Sequence, residues 1–205
     1  GLTLASVDPG GWIANALADY PALGCVVYCA AEMAAPGIVR HGPRARFVLG
    51  DPGGTHTQAL RAASDLLAVP GTTAPIARDI RHDVWMKLWG NAVINPVSAL
   101  TLAKVGRSVS APESTATVAA LFEEVKRVFE ALGIRTDVPV DRRIAEAARL
   151  TTHRSSMLQD LEAGRTMEIE AITGAVVELA HILNVEVPRL ETVLSLIRLR
   201  ATATT

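Results

Sequence analysis

A lysine and two asparagines recur at four-residue intervals in Asp83-Val-Trp-Met-Lys87-Leu-Trp-Gly-Asn91-Ala-Val-Ile-Asn95-Pro96, a segment that is otherwise largely apolar. Four residues advance an α-helix by roughly 400°, so Lys87, Asn91 and Asn95 predict a slowly drifting polar line about 12 Å long, beside Trp85, Leu88, Trp89 and Ile94. One cation and two amides supply hydrogen-bond donors and acceptors of fixed geometry, which suits a small oxyanionic or carbonyl ligand better than core packing. Lysine and asparagine on helices also stand commonly on solvated faces, where they need no ligand. The neighbours here are not those of a solvated face: two tryptophans, Gly90 and Pro96 crowd the same segment. A glycine inside a helix costs about 1 kcal/mol relative to alanine, and it often marks a close approach by another backbone or a ligand.

Composition narrows the functions such a line could serve. With 205 residues, 49% of them hydrophobic, the chain can bury one sizeable core, or a main domain with a smaller companion. A formal net charge of −1 and the absence of a long basic run argue against a binder of phosphate backbones, so nucleic acid is not an expected partner. No apolar run approaches the roughly 20 residues needed to span a bilayer. The opening Gly1-Leu-Thr-Leu lacks a charged secretion region, and a cytoplasmic protein without a membrane partner is the expectation. Cys25 and Cys29 fall in a β-branched stretch read as a strand, on one face but about 13 Å apart, too far for a disulfide. They are expected to be reduced interior residues, and the five histidines, at 41, 56, 82, 153 and 181, show no metal-ligand spacing.

The elements that must position the polar line divide near residue 78. Residues 1–77 alternate in character: a helix over 12–19, short strands over 24–30, 37–40 and 44–49, and a helix over 55–68 with Leu60, Ala63, Leu66 and Leu67 as its apolar stripe. Residues 78–205 carry helical periodicity: 79–95 with a break at Pro96, then 113–132, 140–150, 157–163, 167–183 and 188–200, where Pro188 suits a first helical position. Leu121, Val125, Val128 and Leu132 form one core stripe, and Ile169, Ile172, Val176, Leu179 and Leu183 another. The predicted class is mainly α, preceded by a smaller α/β portion.

Three motifs in order carry a family resemblance: Lys87-x-x-x-Asn91-x-x-x-Asn95-Pro96, Arg154-Ser-Ser156-Met-Leu-Gln-Asp160, and Thr166-Met-Glu168-Ile-Glu-Ala-Ile-Thr-Gly174. Together they resemble the ketopantoate reductases, NADPH-dependent enzymes that reduce 2-dehydropantoate to pantoate on the route to coenzyme A. Gly24-Cys-Val-Val-Tyr and Pro36-Gly-Ile-Val-Arg-His resemble the end of that family's nucleotide-binding domain, so the likeness runs from about Val7 to Leu199. The resemblance implies a helical domain of the 6-phosphogluconate dehydrogenase-like type over 78–205, for substrate binding and dimerisation, after a remnant of a Rossmann-like domain over 1–77. It implies Lys87 as proton donor, Asn91, Asn95 and Ser156 as substrate ligands, Glu168 near the cofactor ribose and the reacting centre, and Ala30 near the nicotinamide. The chemistry agrees: hydride delivered to a 2-keto acid creates an alkoxide that an ammonium can stabilise and protonate, while amides and hydroxyls hold the rest. Structural duties compete at two positions, since Ser156 suits a helix N-cap and Glu168 suits a helix N-terminus. Glu170 points about 200° away from Glu168 on a helix and is the weaker catalytic candidate.

One departure from the family pattern sets a limit. A dinucleotide site opens with strand, G-x-G-x-x-G and helix, and these 205 residues contain no such motif. Gly50-Asp-Pro-Gly-Gly54 is the nearest glycine-rich loop; it lacks the spacing and reads as a turn. The chain resembles the C-terminal two-thirds of a reductase, so the expectation is that it does not hold NADPH tightly and is inactive by itself. Strand edges and a face left uncovered favour pairing with a second copy, a homodimer. Two alternatives stand beside this reading: a shortened, non-catalytic helical protein that dimerises or binds a partner, and a relative reducing a different 2-keto acid.

Overall fold

The computed structural model describes residues 2–29 and 31–203, and the mainly α class expected from sequence is the one found. The chain divides into two compact units, residues 16–87 and residues 1–15 with 88–205.

In residues 16–87 a small sheet carries the start of the helix that bears the polar line. Strand β1 (Gly24–Tyr28) pairs antiparallel with β4 (Ala45–Gly50), placing Gly24 opposite Gly50 and Val26 opposite Val48. Helix α2 (Gln58–Leu67) then crosses over to the short β5 (Thr72–Thr73), which runs parallel to β4. Thr57 caps α2 by accepting from Leu60 N at 3.1 Å. Period-two alternation divides the sheet's side chains: Val26 and Val48 bury with Ile80 and Ala77, whereas Leu49 packs with Leu60, Ala63, Leu67 and Ala74. Leu66, expected in the α2 stripe, is instead 78% exposed; its neighbour Leu67 takes the inward direction. The paired glycines Gly24 and Gly50 explain how α3 (Ile80–Thr101) is seated. A Cβ on Gly24 would lie 2.7 Å from Ile80 Cγ1, and one on Gly50 would also collide with Ile80.

A separate hairpin joins β2 (Ala31–Ala35) to β3 (Ile38–His41) through Pro36 and Gly37, whose φ of +76° is cheap only for glycine. Sequence reading missed β2, because Ala, Glu and Met have little strand preference and the hairpin partner imposes the conformation. It also missed the two-residue β5. Cys25 and Cys29 are free and exposed rather than interior; on β1 the buried position is Val26, and Cys29 lies beyond the strand end.

The other unit is helical. After α1 (Trp12–Leu17) and the later part of α3 come α4 (Val105–Ser110), α5 (Pro112–Ala131), α6 (Val140–Ala148), α7 (Ser156–Glu162), a π-helical turn over Glu170–Gly174, α8 (Ala175–Ile182) and α9 (Pro188–Thr202). α5 is the central element, burying Val118, Leu121, Phe122, Val125, Val128 and Phe129. α9 contributes Leu190, Leu194 and Ile197, and α8 contributes Val176 and Leu179. The N-terminal segment is tied down by α8, because the Glu178 carboxylate accepts Ala5 N and Ser6 N, each at 2.8 Å.

The expected break at Pro96 does not occur, since α3 continues through it to Thr101. Proline at 96 removes the N–H that would bond the Ala92 carbonyl, and its ring crowds that oxygen. The Thr173 hydroxyl donates to Ala92 O at 3.2 Å instead, so the freed acceptor is not orphaned and the helix can run on. α3 ends at Leu102, in the left-handed conformation with φ +56°.

Candidate functional site

Each candidate residue has a definite local setting. In residues 16–87, the Lys87 ammonium donates to Val27 O at 2.7 Å and stands 5.7 Å from the centroid of the Tyr28 ring. A main-chain acceptor and an aromatic face hold the cation in place while using only part of its three-donor capacity. Ala30 lies outside the described residues.

In the helical unit, Asn91 is half-buried and Asn95 is 5% exposed. Among the described residues neither amide makes a hydrogen bond, although a buried amide ordinarily finds a partner. Both amides therefore keep donor and acceptor capacity that no described residue uses. The opposite side of the same turns is closed by packing. Trp89 is fully buried, donates Nε1–H to Phe122 O at 2.9 Å and meets the Phe122 ring edge-on at 5.7 Å. The Arg143 guanidinium lies 5.4 Å from the Trp89 ring centroid and against Gly90, where an added Cβ would come within 3.1 Å of Nη2. Within the chain, the close approach expected at Gly90 is made by the Arg143 side chain rather than by another backbone.

Ser156 is exposed at the first position of α7. The N-cap role considered for it belongs to Ser155, whose Oγ accepts Leu158 N at 3.2 Å. Freed of capping, the Ser156 hydroxyl makes no hydrogen bond among the described residues. The loop leading to it is fixed from α4, since Val105 N donates to His153 O at 2.9 Å and Gly106 N to Leu150 O at 3.1 Å. Gly106 permits this: a Cβ there would sit 2.8 Å from Ala148 O and 3.0 Å from Thr151 Cα. Because both obstacles are backbone, Gly106→Ala is expected to cost about 1–3 kcal/mol, measured as a lower urea midpoint at unchanged m-value. A midpoint equal to wild type would show that the α4–α6 contact opens freely.

Glu168 is exposed just before the helical turn that begins at Ile169. It engages no cation among the described residues, whereas Glu170 forms a two-point ion pair with Arg198, Nε to Oε1 at 2.7 Å and Nη2 to Oε2 at 2.5 Å. The Arg198 guanidinium holds the Glu170 carboxyl below its ordinary value, which assigns Glu170 a structural task and leaves Glu168 uncommitted. Glu170 Oε2 also lies over Gly174, where a Cβ would be 2.7 Å away. The structure thus brings the segment after Glu168 onto α3 through Thr173 and Ala92. It records no direct hydrogen bond joining Ser156, Glu168, Asn91 and Asn95.

Sequence reading passed over three residues that organise this unit: Thr173, Arg143 and Glu124. Glu124 carried a signal, an acid inside the apolar stripe of α5, and it is fully buried. Among the described residues there is no His, Cys, Asp and Glu grouping that could hold a metal, and no helix long and apolar enough to cross a membrane.

Residues 79–201 match the family model described as ketopantoate reductase PanE/ApbA, C terminal. A 2-dehydropantoate 2-reductase from Mesorhizobium japonicum is 40% identical over 198 residues, which is 97% of this chain and 61% of that protein. Among solved structures, a candidate ketopantoate reductase from Ralstonia solanacearum MolK2 superposes with a TM-score of 0.92 at 34% identity, over 99% of this chain and 62% of that one. The 2-dehydropantoate 2-reductase from Methylococcus capsulatus gives a TM-score of 0.83 at 27% identity, over 97% and 64%. The chain spans about three-fifths of the length of the curated relatives it matches.

Proposed function

This chain belongs to the ketopantoate reductase family, and on that premise we propose that it forms the substrate-binding and proton-donating portion of a nicotinamide-dependent reductase of 2-dehydropantoate. The observation that carries this reading is Asn95, an amide 5% exposed, without an internal hydrogen-bond partner, on the helix that also bears Lys87 and Asn91. A 2-keto acid has the complementary groups: a ketone oxygen that becomes an alkoxide, and a carboxylate that accepts N–H and O–H donors.

In this mechanism Asn91, Asn95 and Ser156 hold the substrate through hydrogen bonds, and the Lys87 ammonium serves the ketone oxygen. As reduction proceeds, charge grows on the ketone oxygen; Lys87 stabilises it and then transfers a proton, leaving the 2-hydroxy acid and a neutral amine that regains its proton from solvent. The contact with Val27 O fixes where the ammonium stands before substrate arrives, so less ordering remains to be done during the reaction. Glu168, uncommitted to an internal ion pair, serves the ribose and the reacting centre. Residues 78–205 form the substrate-binding and dimer-forming division, and residues 1–77 the nucleotide-side division.

The cofactor itself is read as NADPH, but the residues present do not make a phosphate cradle. In the loop of Gly50–Gly54, Gly53 N already donates to the Asp51 carboxylate at 2.7 Å, Thr55 Oγ1 donates to the same carboxylate, and Gly54 N donates to Asp51 O at 2.9 Å. A carboxylate in the place of a phosphate consumes the donors and repels the anion. The 205-residue chain alone is therefore expected to show no micromolar NADPH binding in a fluorescence titration, and saturation in that range would overturn the point. The reductase reading is tested in the full-length protein by following NADPH oxidation with 2-dehydropantoate and, in parallel, other 2-keto acids. Failure with every 2-keto acid sinks the proposal, and a preference for another acid corrects the substrate.

A further inference from the structure

Thr173 is a full turn or more away in sequence from every residue assigned to the chemistry, yet it is fully buried and directed at α3. Its hydroxyl donates to Ala92 O, the one carbonyl in the Asn91–Asn95 turn whose usual partner is missing because residue 96 is proline. Two features place it there. The backbone over Glu170–Gly174 is π-helical, with Ala175 N bonding Glu170 O, which adds a residue to the turn and rotates Thr173 relative to an ordinary α-helix. Gly174 then leaves room for Glu170 to fold back and pair with Arg198 of α9, holding that wider turn in place.

We propose that Thr173 is a positioning residue: by standing in for the hydrogen bond that Pro96 cannot make, it fixes the turn of α3 that presents Asn91 and Asn95 to the substrate. The role rests on the reductase reading for its consequence in catalysis, but not for its physical basis. Asn91 immediately precedes the supported carbonyl and Asn95 immediately precedes the proline, so any tilt at Ala92 changes the angle between the two amides. Lys87 lies one turn earlier, where the α3 ladder has no proline to compensate.

The position therefore separates binding from chemistry. Thr173→Val keeps the shape and removes the donor; Thr173→Ser keeps the donor. In the full-length protein, Thr173→Val is expected to raise KM for the 2-keto acid about tenfold, the effect of displacing a binding hydrogen bond, with kcat within about threefold of wild type. Thr173→Ser is expected to restore KM. A second measurement does not depend on activity: hydrogen–deuterium exchange of the amides at 93–95 and 97 is expected to accelerate in Thr173→Val relative to Thr173→Ser, with the remaining helices unchanged. Unchanged exchange in Thr173→Val overturns the proposal, as does an unchanged KM in an active enzyme. A wild-type protein that reduces no 2-keto acid removes the reductase reading, and the exchange comparison then decides Thr173 by itself.

Discussion

Lys87→Ala in the full-length protein is expected to lower kcat for 2-keto acid reduction by about 100-fold or more, as loss of a donor to a developing oxyanion usually does. KM is expected to change far less, because the ketone oxygen of the bound substrate is nearly neutral and gains its charge only on the way to the product alcohol. The geometry gives a reason to expect a clean effect. Lys87 makes one main-chain hydrogen bond, to Val27 O, and one ring contact, to Tyr28, so alanine removes a charge without opening a packed core. Circular dichroism and thermal unfolding should thus match wild type while turnover collapses. A kcat unchanged from wild type would remove Lys87 from the mechanism and direct attention to another proton donor.

Glu124→Ala is expected to be among the most destabilising single changes in the helical unit, at about 3 kcal/mol. The fully buried carboxylate of α5 sits at the N-terminus of α9, with Oε2 accepting Leu190 N at 2.9 Å and Oε1 accepting Arg189 N at 3.3 Å and Arg189 Nη1 at 3.2 Å. It satisfies N–H groups that a helix start leaves without intrahelical partners, and its charge complements the positive end of the helix dipole. Val187, the residue in the N-cap position, offers no side-chain acceptor, so nothing local replaces it. Arg189 is more than half exposed and can turn to water when the acid is lost, whereas the buried Leu190 N–H cannot. For a chain of this size the loss corresponds to a fall in melting temperature of roughly 6–12 °C. Glu124→Gln keeps an acceptor oxygen and should cost about 1 kcal/mol. Equal midpoints for Glu124→Ala and wild type would show that solvent reaches the start of α9.

Much of the helical unit was legible because its apolar residues repeat at helical spacing: Leu121, Val125 and Val128 are buried on α5 as the pattern requires, and Val176 and Leu179 on α8. The small sheet was read less well. β2 has weak strand formers and exists through its pairing with β3, and Cys25 and Leu66 point outward although their types are common in cores. At the candidate site, spacing placed Asn91 and Asn95 on one helix, and the three ordered motifs indicated the family that the comparisons bear out. The roles of Lys87, Asn91, Asn95, Ser156 and Glu168 are proposals; Lys87→Ala tests the first directly, and the Thr173 variants test the presentation of Asn91 and Asn95.

What the sequence determined by itself is local: the four-residue recurrence on α3, the apolar stripes, the turn at Gly50–Gly54, and the motif order. Local interactions act between residues a few positions apart, so a linear pattern contains them. Only the tertiary structure decided that α3 passes through Pro96, that Ser155 rather than Ser156 caps α7, that Arg143 occupies the space at Gly90, and that a buried acid starts α9. Three of these depend on where a backbone donor or acceptor finds its partner, and the Arg143 contact on a side chain that α6 brings to Gly90. Ala92 finds its donor 81 residues away at Thr173, a distance at which no spacing rule operates and only the packed fold brings the two groups within reach.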